Sequence, residues 1–197
     1  MISHDLKSSN QCLKAYASAN KILGMINRTI ENKNSNIMLN LYKSLVRPHM
    51  EYCTAVWSPY YVKDKELIEK IQHRFTKMII EVKHLSYADR LKKLGLWSLE
   101  ERRNRSDLIE VYKMLHGSTS ISYKNFFEIA SDKRTRGHSM KLVKHRFETK
   151  IRQQFFSERV INRWNSLDND TVTASSLNSF KTRFIMLRST KMGFFLD

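Results

Sequence analysis

"KDKELIEKIQHRFTKMII", residues 63–80, decides the fold class. Its apolar side chains Leu67, Ile68, Ile71, Phe75, Met78 and Ile79 recur three and four residues apart, and the positions between them are largely charged. That period lays one apolar stripe along a helix, which is stable only when other helices cover it. The same period continues on both sides. Upstream, Leu13, Tyr16, Ala17, Ile22, Leu23 and Ile26 mark a long helix over 6–30, ended by Asn32 and Asn34. Another begins near Ser35, carries Ile37, Leu41, Leu45 and Val46, and meets Pro48, which kinks it or opens a new segment through Trp57. Ser58-Pro59 is its stop.

Downstream, Ser86-x-x-Asp89 opens a short helix through Leu94 and Ser98-x-x-Glu101 opens the next, each serine paired with an acid one turn on. The second of these carries Leu108, Val111, Tyr112 and Leu115 and ends at Gly117, and Gly95 separates the two. A short helix is expected over 123–130. The polar, basic stretch 131–139 then reads as a linker or surface loop. Beyond it, a strong helix is expected over 150–167, with Phe156, Val160, Trp164 and Leu167 on one stripe, and a last one over 175–187, with Leu177, Phe180, Phe184 and Leu187. The fold class is therefore mostly α: a helical bundle over 1–117, then a basic linker and a smaller helical region over 118–197.

Composition agrees, because only 5 Gly and 2 Pro interrupt the 197 residues. With 35 Lys and Arg against 19 Asp and Glu, the formal net charge is +16, an excess that attracts polyanions. Residues 131–197 alone carry 14 basic and 6 acidic side chains, half of that excess. Cys12 and Cys53 are too few for a metal knuckle or a disulfide scaffold, and are expected to be core thiols in a reducing compartment. No apolar run reaches the roughly 20 residues of a membrane span. The expectation is an intracellular, soluble protein without a membrane partner, the nucleus being one candidate compartment.

"SYADRL", residues 86–91, contains three letters of the Tyr-x-Asp-Asp signature of reverse transcriptases. A site of that kind needs adjacent carboxylates at a hairpin to hold two magnesium ions, and here Arg90 places a cation where the second carboxylate belongs. Asp89 fits better as an acid in the first turn of a helix. No glycine-rich phosphate loop, metal-ligand spacing or nucleophile–base pair appears elsewhere. His49 and Cys53, four apart, are two ligands and make no site. Neither catalytic nor metal-binding residues are expected.

"LYKSLVRPHMEYCTAVWSPYY" (41–61) and "LIEKIQHRFTKMI" (67–79) resemble the region after the polymerase palm in reverse transcriptases of jockey-like, LINE-type non-LTR retrotransposons. "LKKLGLWSLEERRNRSDLIEVYKMLHG" (91–117), "RGHSMKL" (136–142) and "FFSERVINRWNSL" (155–167) resemble successive blocks of the same C-terminal region, in the same order. Asp5-Leu6-Lys7 resembles the motif that follows the last palm strands. The resemblance implies a thumb plus C-terminal extension of an RNA-directed DNA polymerase, a noncatalytic fragment that binds RNA and DNA. It implies no cofactor in this chain, since the magnesium ions of such enzymes belong to the palm. One departure is Asp168, which stands where the family usually has proline after Trp164 to Leu167.

A thumb holds the template–primer by its backbone, so cations free to reach phosphate are the candidates. Lys65 with Glu69, Glu66 with Lys70, Lys77 with Glu81, Glu101 with Arg105 and Glu148 with Arg152 are four apart and are expected to pair along helix faces. Arg74, Arg102, Arg159, Arg163, Lys181 and Arg183 have no such neighbour and are the candidate nucleic-acid-binding residues. Arg134 and Arg136 join them from the loop "KRTRGHS" (133–139), with Lys133 and His138 beside them. Trp57, Phe75, Tyr112, Phe156 and Trp164 are expected in the core. Two alternatives stand beside this reading: a basic helical module that recruits an acidic protein partner, and a non-functional remnant of a mobile element.

Overall fold

The computed structural model describes residues 7–131 and 137–197, and the described chain is mostly helical. Two compact units form, Met1–Arg103 and Asn104–Asp197.

In the first unit α1 (Ser9–Thr29) buries Cys12, Ala15, Ala19, Leu23 and Ile26, a stripe at the expected period. After it, α2 (Ser35–Leu41) is capped by the Asn34 side chain, which accepts from Ile37 N–H at 3.0 Å. The helix continues as a π-turn over Tyr42–Val46, where Arg47 N–H reaches back to the Tyr42 carbonyl at 2.9 Å. Pro48 explains the widening: it has no N–H to give the preceding turn, and its ring crowds the carbonyl four residues back. Two single turns follow, α3 (Pro48–Glu51) and α4 (Thr54–Trp57).

The stretch quoted above becomes α5 (Val62–Met78), with Ile68, Ile71 and Phe75 buried. It packs chiefly on α1, and the Phe75 ring stacks on Tyr42 with centroids 4.1 Å apart. In α6 (Tyr87–Lys93) Ser86 Oγ accepts from Asp89 N–H at 3.2 Å. At the start of α7 (Leu99–Leu115) the Ser98 and Glu101 side chains each accept the other's backbone N–H, a complete capping box. Gly95 and Gly117 take positive φ, 62° and 64°, at the ends of α6 and α7. Cys12 is a core thiol; Cys53 is not, because it lies exposed at a left-handed turn with φ 54° between α3 and α4.

The boundary between the units falls within α7, where the composition change placed it after Gly117. From Asn104 onward this helix is bonded to C-terminal segments: Asn104 Nδ2 donates to the Phe195 carbonyl at 2.8 Å, and Tyr112 OH to that of Ala174 at 2.6 Å.

The second unit departs from expectation in two elements. Over 123–130 only a 3-10 turn forms, Tyr123–Asn125. The chain then extends, and Ala130 N–H and Val143 N–H donate to the carbonyls of Lys141 and Glu128, both at 2.8 Å. Phe126, Phe127 and Ile129 are better suited to that extended pairing than to a helix. The helix expected over 150–167 is divided into α8 (Lys150–Gln153), α9 (Phe156–Arg159) and α10 (Ile161–Asn165). Phe155 is extended, with ψ 147°, and Arg159 Nη1 donates to the freed Gln154 carbonyl at 3.0 Å. The apolar stripe survives the break, with Val160, Trp164 and Leu167 buried and Phe156 half-buried.

Two further helices complete the unit. Asp168 caps α11 (Asn169–Val172), accepting from Thr171 N–H and Oγ1, both at 2.8 Å. The last, α12 (Leu177–Thr190), is capped by Ser176 and buries Phe180, Phe184 and Leu187. Trp164 anchors the core: its Nε1–H donates to the Met140 carbonyl at 2.8 Å, and Asn165 exchanges side-chain bonds with the N–H and carbonyl of Leu142 at 2.9 and 2.8 Å.

Candidate nucleic-acid interface

The surface of the first unit follows from where its acids go. Asp64 is buried and accepts from Ser9 Oγ, in the first turn of α1, at 2.6 Å. Glu69 accepts from Leu99 N–H, at the start of α7, at 3.0 Å and from Tyr87 OH. Glu81 accepts from Ser35 N–H, at the start of α2, at 3.1 Å. A carboxylate at a helix N-terminus is favoured by the helix dipole and satisfies a donor that lacks an intrahelical partner. Three acids of this stretch are thereby directed at the first turns of other helices.

Lys65 of α5 pairs with Glu100 at 2.6 Å, and further cations of the helix are left exposed. Lys70, Arg74 and Lys77 are exposed, and among the described residues none of them lies within ion-pair distance of a carboxylate. Arg74 Nη1 donates to the Asn20 amide oxygen on α1. These three, with Tyr16, Glu66, Glu69 and His73, line a cleft of about 550 Å³ between α1 and α5. Lys70 and Lys77 were expected to pair with Glu66 and Glu81; instead both line the cleft, and Glu81 bonds Ser35 N–H.

A buried polar network fixes the cleft floor. Tyr42 OH donates to Gln72 Oε1 at 2.7 Å, and Gln72 Nε2 donates to the Trp97 carbonyl at 3.0 Å and to Tyr87 OH at 3.2 Å. Burial pushes the Glu69 carboxyl up, against the hydrogen bonds from Tyr87 and Leu99. The His73 ring stacks on Tyr87 with centroids 3.4 Å apart. Burial, then the charges of Arg90 and Lys77, lower its pKa, which keeps the ring neutral near pH 7. Arg90 is itself buried, donating to Thr76 Oγ1 and the Leu85 carbonyl, both at 3.0 Å. In "SYADRL", then, Asp89 belongs to a helix cap and Arg90 to the packing beneath α6.

The other predicted cations separate by partner. Arg102 makes a two-pronged bond to Glu51, with Nη2 2.9 Å from Oε2, and Arg47 lies 3.6 Å from the same carboxylate. In the second unit Arg159 is bidentate to buried Asp107, at 2.8 and 3.0 Å. Burial pushes the Asp107 carboxyl up while Arg159 pulls it down, and burial prevails. Arg163 bonds the Phe194 carbonyl at 2.9 Å and the Asp197 carboxylate at 2.7 Å. These three arginines hold the fold together across 51, 52 and 34 residues of chain.

Lys181 and Arg183 lie half-buried on α12. Burial pushes the Asp168 carboxyl up, but the Thr171 bonds and the charge of Arg183 outweigh it, so its pKa falls below the ordinary value. Arg134 and Arg136, with Lys133, lie outside the described residues. His138, expected on an exposed loop, is instead 4% exposed. Its Nδ1 accepts from Met140 N–H at 3.2 Å, which leaves Nε2–H to donate to the Trp164 carbonyl at 3.0 Å.

Trp57, Phe75, Tyr112 and Trp164 are core residues as expected. Among the described residues no group of three His, Cys, Asp or Glu side chains is placed to hold a metal ion, and no helix is long and apolar enough to cross a membrane. Compared with protein-family models, with curated proteins and with solved structures, the chain matches none.

Proposed function

We propose that the chain is a nucleic-acid-binding helical module, the thumb and C-terminal extension of a LINE-type reverse transcriptase, which grips a template–primer by its phosphates and does not itself polymerise. The observation that carries this is the row Lys70, Arg74 and Lys77 on α5, three exposed cations whose neighbouring acids are bonded elsewhere or, like Glu66, have no cation bonded to them among the described residues. Helical spacing puts Lys70, Arg74 and Lys77 within about 10 Å along one face, so the row can meet phosphates of a single strand. The order of the resembling blocks supports the family reading. Two of those blocks also clasp each other, through His138, Met140 and Leu142 against Trp164 and Asn165. Target-primed synthesis occurs on chromosomal DNA, so the proposal places the protein in the nucleus.

Binding of an RNA–DNA duplex tests it. Three phosphate contacts predict that affinity falls about 40-fold between 50 and 200 mM salt. An affinity unmoved by salt would remove the phosphate argument, and displacement of the duplex by an acidic peptide at equal charge would favour a protein partner. Primer extension with magnesium should give no turnover.

A further inference from the structure

The cleft between α1 and α5 has more room, and different walls, than backbone contact alone requires. At about 550 Å³ it falls within the range of roughly 300–1,000 Å³ typical of small-ligand sites. Its cations stand on one side, yet two rings also face it. Tyr16 is half-buried and packed against the core of the first unit. His73 is held by its stack on Tyr87, whose hydroxyl is fixed by Glu69 and Gln72. Arg90 Nη2, 3.5 Å from His73 Nδ1, steadies the other end of that imidazole. Both rings are therefore positioned by the interior before any ligand arrives, which lowers the ordering cost of binding.

Rigid rings beside exposed cations fit an unpaired base attached to a phosphate: every base has a π-face to stack, and sequence-tolerant single-strand binders combine the two features. A base inside a duplex keeps both faces covered by its neighbours and cannot enter. Glu66 stands one turn before Lys70, without a cation bonded to it among the described residues, so Lys70 offers the phosphate beside a stacked base a weaker place than Arg74 and Lys77 do. The phosphate thus belongs at the Arg74–Lys77 end.

Resting on the nucleic-acid reading above, we propose that this cleft holds one unpaired nucleotide of a single strand, its base against Tyr16 and His73 and its phosphate between Arg74 and Lys77. The module would then distinguish a single-stranded overhang from the duplex beside it.

Fluorescence anisotropy with the full 197-residue chain tests this using three probes of equal charge: a single-stranded oligonucleotide, the same strand with abasic sites, and a blunt RNA–DNA duplex. The intact strand should bind roughly tenfold more tightly than the abasic one, the scale of one stacked base. Tyr16→Leu, which keeps an apolar side chain on the core, should abolish that difference and leave duplex affinity within twofold. His73→Gln is the second variant should Tyr16→Leu shift the thermal melt. Lys77→Ala should weaken the intact and abasic strands alike. Equal binding of intact and abasic strands, or a Tyr16→Leu loss that falls equally on both, overturns the base pocket while the phosphate reading stands. If none of the three probes shows salt-dependent binding, the phosphate reading fails and the pocket with it.

Discussion

Cys53 turns the chain between α3 and α4 with φ 54°, a left-handed conformation that costs a residue with a Cβ about 1 kcal/mol. Its thiol is exposed, so little packing is lost on truncation. Cys53→Gly should therefore stabilise the first unit by up to about 1 kcal/mol, seen as a higher urea midpoint at unchanged slope. Nothing in a cysteine's identity announces that backbone, whereas Gly or Asn there would have done so. His138 makes a second residue-scale case. Burial holds its pKa below the ordinary 6.5, so the unfolded chain takes up a proton more readily than the folded one. Its contribution to stability is thus full above pH 6.5 and declines as pH falls through the folded value. Denaturation at pH 7.5 and 5.5 should show that loss, and His138→Gln should reduce the pH dependence. Its basic neighbours made His138 look like part of a surface loop; its burial comes from Trp164 and Met140, one of them far along the chain.

Among the elements, those defined by local chemistry were legible. The stripe of α5 spans 17 residues, and the Ser86 and Ser98 caps and the glycines after α6 and α7 each act within a turn or two. The divided helix over 150–167 was not legible, because Arg159 that seals its break at Gln154 is held by Asp107, 52 residues away. No periodicity within 18 residues can report that. Asp168 was noticed only as a missing proline, and the structure gives it a different role, capping α11. Asp168→Ala should cost about 1 kcal/mol by thermal or urea denaturation. Because its folded pKa lies below the unfolded value, the wild-type advantage should be present above about pH 4 and be lost as pH falls through the folded value.

Over the whole molecule, charge is what sequence spacing handled least well. The formal excess of +16 is a property of composition, but which cations are free depends on where each acid is spent in three dimensions. Glu51, Asp107 and Asp197 reach Arg102, Arg159 and Arg163 from distant parts of the chain, while Glu69 and Glu81 serve the helix starts of α7 and α2. Counting partners at three and four residues therefore selected Arg102, Arg159 and Arg163, which bond distant carboxylates, and set aside Lys70 and Lys77, which lie exposed on the cleft. Arg74 is the predicted residue that keeps its place on the cleft. The most direct measurement is the salt dependence of RNA–DNA duplex binding by the chain and by a Lys70→Ala, Arg74→Ala, Lys77→Ala variant with an unchanged thermal melt. Removing three phosphate contacts should reduce the slope of log K against log salt by about 2 to 3. A variant slope equal to that of the parent chain would contradict the assignment of α5 as the phosphate-binding face.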